Sequence, residues 1–192
     1  MLTKAVRRCY ACKDMAHCHV LGAVNGPANA RVMFVGEAPG RHGAGKSGVP
    51  FSGDESGRRF EALLAVAGLR REDVFVTNAV LCNPLDGVGN NRRPLPREVR
   101  ACLAYLRGQI EAVNPDYVVA LGGVALDALG RIEAHGVTLA SGCGEPRPWF
   151  GRTLVVLYHP GRRAIVHRSV EAQEGDWRRL GEVVSRGVQA SG

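Results

Sequence analysis

The sequence predicts an α/β domain in three layers, with helices on both faces of a central four-stranded parallel sheet. Two observations carry that prediction. Four short apolar runs recur along the chain, at 31–35, 74–81, 117–121 and 153–158, and such runs suit strands buried on both faces. Segments with apolar residues at helical spacing lie between them, and alternation of strand and helix builds a parallel sheet.

The first strand, Arg31 to Val35, ends at Gly36 and runs into a Gly-rich stretch that reaches Gly57. Phe60, Leu63, Leu64 and Ala67 then fall on one helical face, and Gly68 supplies a stop. The second strand, Val74 to Leu81, runs straight to Cys82. Residues 83–96 are rich in Asn, Gly, Pro and Arg and read as a long loop. A helix follows with Val99, Leu103, Leu106 and Ile110 on its apolar face and Cys102 near its start. Tyr117 to Leu121 is the third strand, closed by Gly122-Gly123 and followed by a short helix from Val124 to about Leu129. Thr153 to Tyr158 is the fourth, and it delivers His159-Pro160. Ligands of such sheets collect at the carboxyl ends of the strands. Here those ends carry Gly36 to Gly40, Thr77-Asn78 with Cys82, Gly122-Gly123, and His159-Pro160.

A chain of 192 residues suits one domain, here with residues 1–30 as an appended arm. The hydrophobic fraction of 45% is enough for a core, and no apolar run reaches the length of a membrane span. Residues 1–30 lack the apolar block of a secretory signal, so a soluble protein of the reducing cytoplasm is expected. In that compartment six cysteines read as metal ligands or buried thiols, not as disulfides. The net charge of +7 and pI near 9.4 favour an anionic partner without selecting nucleic acid by themselves.

Cys9 and Cys12 form a C-x-x-C, with Cys82 and Cys102 far downstream. Four thiolates gathered from three places mark a metal or iron-sulfur site that would staple the arm to a remote loop. Cys18 and His19 complete C-x2-C-x5-C-H, which supplies the alternative of a local zinc site. Cys143 fits neither pattern and reads as a small buried hydrophobe. A phosphate-loop string, Gly40-x4-Gly45-Lys46-Ser47, is also present. Gly48, Val49 and Pro50 follow at once and would break the helix that a phosphate loop opens at its Lys-Ser pair, which argues against nucleotide hydrolysis.

Taken together, the cysteine arm, GEAPG at 36–40, GVPFSG at 48–53, TNAVLCNP at 77–84, the helix start from Pro96 to Cys102 and HPGRRAIVHR at 159–168 resemble the iron-sulfur uracil-DNA glycosylases. These are families 4 and 5 of that superfamily, and the resemblance covers most of the chain. It implies the uracil-DNA glycosylase fold over 1–192 and hydrolysis of the N-glycosidic bond of uracil in single- or double-stranded DNA, as a base excision repair enzyme. It further implies a monomer without membrane attachment, and a structural [4Fe-4S] cluster held by Cys9, Cys12, Cys82 and Cys102. Asn78 matches the asparagine that reads uracil, Phe51 the aromatic on which the base stacks, and His159 the donor to uracil O2. Gly36 and Gly40 let backbone amides approach the base.

The acidic residue is doubly represented. Glu37 matches the family 4 pattern, while Asp54, within Gly53-Asp54-Glu55-Ser56-Gly57, matches family 5. Either could position or activate water, and if both act the range of bases widens beyond uracil; Asp54 also suits a helix cap. Arg162 and Arg163 lie where the family inserts a loop into the minor groove, with Arg168 close behind. Arg92 and Arg93 are candidates to grip phosphate, and Arg41, His42 and Lys46 line the first motif loop. One branch of the superfamily traps DNA through a histidine in an inserted basic loop; Arg92-Arg93-Pro94 holds none, so turnover is expected. The spacing from Cys82 to Cys102 is longer than the family pattern, with the extra residues at Asp86 to Asn91. A non-catalytic iron-sulfur or zinc protein that binds nucleic acid is the competing reading.

Overall fold

The computed structural model describes residues 1–189. In chain order the elements are α1 (Leu2–Arg7), β1 (Met15–Ala16), β2 (Val32–Gly36), α2 (Ala44–Ser47), α3 (Glu55–Val66), β3 (Val74–Asn78) and β4 (Asn83–Pro84). There follow α4 (Pro96–Val113), β5 (Tyr117–Leu121), α5 (Gly123–Ile132), α6 (Leu139–Gly142), β6 (Arg147–Trp149), β7 (Arg152–Leu157) and α7 (Val170–Gln189).

The main sheet has five strands in the order β3-β2-β5-β7-β6. The pairs β2/β3, β2/β5 and β5/β7 are parallel, but β6 runs antiparallel to β7. The expected four-stranded, wholly parallel sheet is therefore corrected to a five-stranded mixed one. The added strand is a hairpin product: Phe150 and Gly151 at its turn have φ of 48° and 66°, and two successive positive φ values twist a two-residue turn to suit its strands. Arg147-Pro148-Trp149 shows no strand-like alternation, and proline is tolerated there because the strand is at an edge.

A second correction concerns β3, which stops at Asn78 instead of running to Leu81. Beyond Asn78 the backbone turns across the sheet, where Ala79 N–H donates to the Gly36 carbonyl (2.8 Å) and Val80 N–H to that of Glu37 (3.2 Å). The apolar run continues because residues 79–82 are buried under the arm, with Val20 N–H donating to Leu81 O at 2.9 Å.

Alternate residues of the strands feed two cores. Met33, Val35, Val118, Ala120 and Val156 pack with α4 and α5, while Phe34, Val76, Val119, Val155 and Leu157 pack with α3 and α7. On the second face the Trp177 ring stacks on Phe34 at 5.3 Å and meets Phe60 edge-on at 5.7 Å. The arm docks through protein contacts of its own. Strand β1 pairs antiparallel with β4, Val6 is buried, and Asp14 receives Arg97 at 2.8 Å. Among the described residues no helix is long and apolar enough to cross a membrane.

The order of the sheet sets the site. The chain steps from β2 outward to β3, then returns past β2 to β5, and a crevice opens at the carboxyl ends where that order reverses.

Candidate active site and cysteine cluster

A cavity of about 510 Å³ occupies that crevice, and Glu37, Phe51, Asp54, Asn78 and His159 all line it. Gly40 borders it, and Gly36 forms the seat for two of its side chains. A Cβ on Gly36 would come within 2.5 Å of Asn78 Oδ1 and 2.8 Å of Phe51 Cε2. Glycine is required by that close approach. Gly36→Ala should displace the ring and the carboxamide together, costing about 1–3 kcal/mol of stability as an overpacked site. Chemical denaturation would measure the stability loss.

Phe51 holds a left-handed backbone, φ 50°, in a turn that begins with Gly48 (φ 73°) closing α2 and ends with Gly53 (φ 88°). A bulky residue adopts that conformation only when its surroundings hold it. Here its ring stacks on Phe60 at 4.7 Å and tilts against His159 at 5.5 Å. The same turn disposes of the phosphate-loop string, because α2 ends after one turn at Gly48.

His159 sits at the end of β7, where its Nδ1 accepts the Gly161 N–H at 2.9 Å. That bond makes Nδ1 the acceptor and leaves the proton on Nε2, free for a ligand. Burial pushes the imidazole down to about 4, only partly offset by Asp54. It is neutral at physiological pH. Burial pushes Glu37 upward, against the pull of Arg93 and Arg163. Asp54 caps α3, its Oδ1 accepting from Gly57 N–H at 2.9 Å. Its other oxygen faces the glycine loop, 2.4 Å from where a Cβ on Gly43 would stand.

Asn78 is 3% exposed, and among the described residues no protein group hydrogen-bonds its carboxamide. A buried amide left open toward a cavity is a group waiting for a ligand.

A family model described as the uracil DNA glycosylase superfamily matches residues 23–180. The chain belongs to the uracil-DNA glycosylase superfamily. It is 37% identical to the type-4 uracil-DNA glycosylase of Thermotoga maritima over 163 residues, covering 83% of this chain and 80% of that protein. The type-4 enzyme of Archaeoglobus fulgidus is 37% identical over 168 residues, covering 84% and 80%. A type-5 uracil-DNA glycosylase of Pyrobaculum aerophilum is also 37% identical, over 148 residues, 70% of this chain and 63% of that protein. Glu37 and Asp54 both border the cavity of this uracil-DNA glycosylase superfamily member.

Sequence reasoning misses Asn83 and Asn91 in this superfamily member. Asn83 is 2% exposed and lines the cavity. Its Nδ2 donates to the Pro39 carbonyl and to Asn91 Oδ1 (3.1 Å), which also accepts the Arg41 N–H at 2.9 Å. The pair ties the GEAPG loop to the next one, while Asn83 Oδ1 is buried without a partner. The only sequence signal is two asparagines flanking a loop rich in Gly, Asp and Asn.

The arginines separate by their partners. Arg92 is engaged by the protein: Glu98 accepts from it at 2.6 and 2.8 Å, Leu85 O at 2.9 Å and Asp14 O at 3.2 Å. Glu98 is 1% exposed and held below the usual carboxylate range chiefly by that guanidinium. Arg92 thus braces the loop and the arm. Arg93, Arg162 and Arg163 are exposed. Arg93 lies 3.5 Å from Asp127 and Arg162 3.6 Å from Glu55. Arg168 is paired with Asp176 at 2.5 Å and anchors the end of the HPG segment to α7.

Cys9, Cys12, Cys18, Cys82 and Cys102 gather at the docked arm. Cys9 and Cys12 both act electrostatically on Cys102, and Cys9, Cys18 and Cys102 on Cys82. Burial pushes the Cys82 thiol up to about 12 and that of Cys102 to about 11. His17 Nδ1 lies 3.8 Å from Cys82 Sγ, and His17, His19 and Cys82 form a close group. His19 Nε2 is bonded to the Cys9 carbonyl at 2.8 Å, and the Cys18 thiol donates to Leu81 O at 3.7 Å. Cys143 is half-buried beside β7, its thiol donating to Asp176 at 3.2 Å.

Proposed function

We propose that this protein flips uracil out of DNA and hydrolyses its N-glycosidic bond, leaving an abasic site. The observation that carries the reading is the convergence of Asn78, His159, Phe51 and Glu37 on one cavity, in a chain of this superfamily.

Glycosidic cleavage builds positive charge on the sugar and negative charge on the departing base, so each side needs its own groups. Phe51 offers a face for the extruded ring to stack on. The Asn78 carboxamide donates to uracil O4 and accepts from N3–H, a pairing that cytosine cannot reciprocate. The neutral His159 donates from Nε2 to O2 as charge grows there. Glu37, as carboxylate, orients and deprotonates the attacking water on the sugar side. Arg93, Arg162 and Arg163 hold the backbone phosphates outside the cavity.

Cys9, Cys12, Cys82 and Cys102 would hold a [4Fe-4S] cluster. An all-sulfur donor set suits an iron-sulfur cluster, and Cys9, Cys12 and Cys18 of the arm all lie close enough to act on the buried Cys82 or Cys102. A local zinc site in the arm is less favoured because it would leave Cys82 and Cys102 without a role. When bound, the cluster ties the arm of residues 1–30 to the body, and residues 1–192 then act as one domain. None of the four ligands borders the cavity, so the chemistry rests on the groups named above.

The test is incubation with oligonucleotides carrying one uracil, as single strands and opposite guanine or adenine, followed by alkaline cleavage of abasic sites. Shortened product is expected; a folded protein that yields none on any of these substrates overturns the reading. Excision should fall as pH drops through the raised Glu37 pKa, because the carboxylate is the working form and protonation removes it. Glu37→Gln should abolish that acid limb and lower the rate about 10²- to 10³-fold, the scale of a general base. Asp54→Asn keeps a good helix cap and should cost less than about tenfold. A larger loss in Asp54→Asn than in Glu37→Gln would exchange their roles.

A further inference from the structure

The hairpin of residues 85–91 is more tightly braced than a solvent loop requires. Leu85 and Asn91 pair across it, Asp86 N–H donates to Asn90 O at 2.9 Å, and Gly89 N–H to Asp86 O at 3.0 Å. Asp86 Oδ1 accepts from Val88 N–H at 3.0 Å and Asn90 N–H at 2.7 Å. From outside, the Arg41 guanidinium donates to Gly89 O at 2.7 Å. The side chain that this framework presents is Val88, apolar and 81% exposed. Turns usually carry polar residues at such points.

Its location gives the valine a purpose. Asn91 at the hairpin's base and Gly40 just before Arg41 both line the cavity. Residues 161–164 form another wall, and the short helical turn Arg162–Val166 ends in Val166, 85% exposed. The cavity is therefore bordered by two protrusions, each bearing an exposed valine; Arg162 and Arg163 lie on one, and Arg41 abuts the other.

We propose that the hairpin is a DNA wedge: Val88 enters the base stack beside the extruded nucleotide, while the Arg41 guanidinium braces the hairpin from the side. The proposal rests on the reading that DNA with a flipped base occupies the cavity. Extrusion leaves a gap whose walls are apolar base faces, and apolar side chains driven between base steps are a recurring way to hold DNA unstacked. A wedge must not yield to the stack it enters, which accounts for the Asp86 and Arg41 bracing.

The test uses the full protein and a uracil duplex with 2-aminopurine next to the uracil, whose fluorescence rises on unstacking, together with the same strand alone. Wild type should raise the fluorescence on binding. Val88→Ser should remove at least about half of that rise and lower the ratio of duplex to single-strand excision about tenfold, the scale of losing one unstacked step. Val88→Leu should restore both. An exposed position spares the core, so a fold-dependent loss is not expected. No rise with wild type, or an equal rise and ratio in Val88→Ser, overturns the wedge. A Val88-dependent rise without excision would sustain the wedge and overturn the glycosylase reading instead.

Discussion

Asn78→Ala should lower single-turnover excision of uracil about a thousandfold without destabilising the protein. Loss of a donor aimed at developing charge costs about 10²- to 10³-fold, and loss of a pairing that selects the base adds to it. Stability should hold because the carboxamide has no protein partner to lose. Truncation removes a buried polar group whose desolvation folding had to offset. The measurement pairs quench-flow kinetics with a thermal melt. A rate within tenfold of wild type would remove Asn78 from base recognition, and a large drop in melting temperature would mean that the side chain is structural.

The second large effect is expected at the cysteines. Cys82→Ser or Cys102→Ser should abolish the brown colour and bound iron and loosen the arm, whereas Cys143→Ser and Cys18→Ser keep both. Treated as a cross-link, the tie between Cys12 and Cys82 closes a loop of roughly 70 residues, worth about 4 kcal/mol of unfolded-chain entropy. For a domain of this size that is about 10 °C in melting temperature. Retained iron in Cys82→Ser, or lost iron in Cys18→Ser, would reassign the ligands. Excision should fall too, because Asn83, next to Cys82, holds Pro39 of the GEAPG loop.

Much of this arrangement is legible in the sequence because it is local. Apolar runs ending at Gly36 and His159 place two site residues at strand ends without knowledge of the fold, whereas the run through Asn78 continues to Leu81 and its strand end shows only in the structure. What escapes is set by tertiary contact. Helix α7 is interrupted by Gly175, Gly181 and Gly187, which weakens a helical reading. Two of those glycines exist for close packing, since a Cβ on Gly181 would stand 2.2 Å from Ala67 O and one on Gly187 2.0 Å from Tyr117 Oη. Arg92 reads as a surface cation until the fold buries Glu98 beside it and brings the Asp14 carbonyl to it, and Asn83 as a loop residue until Pro39 arrives. Residues whose partners are distant in sequence keep their roles hidden there.

The hairpin strand β6 has a consequence for how the molecule behaves among its own copies. An exposed sheet edge is a template on which a further strand can grow. At one edge, β6 is only three residues long with Pro148 at its middle, which removes the amide that an added strand would need. At the other, the segment through Asn25 and Gly26 lies over β3, with Asn25 Nδ2 donating to Val76 O at 2.8 Å. Both ends of the sheet are sealed against edge-to-edge polymerisation. Slow fibril growth at high protein concentration is thereby denied its starting point, and prolonged storage should yield amorphous precipitate before any cross-β fibre.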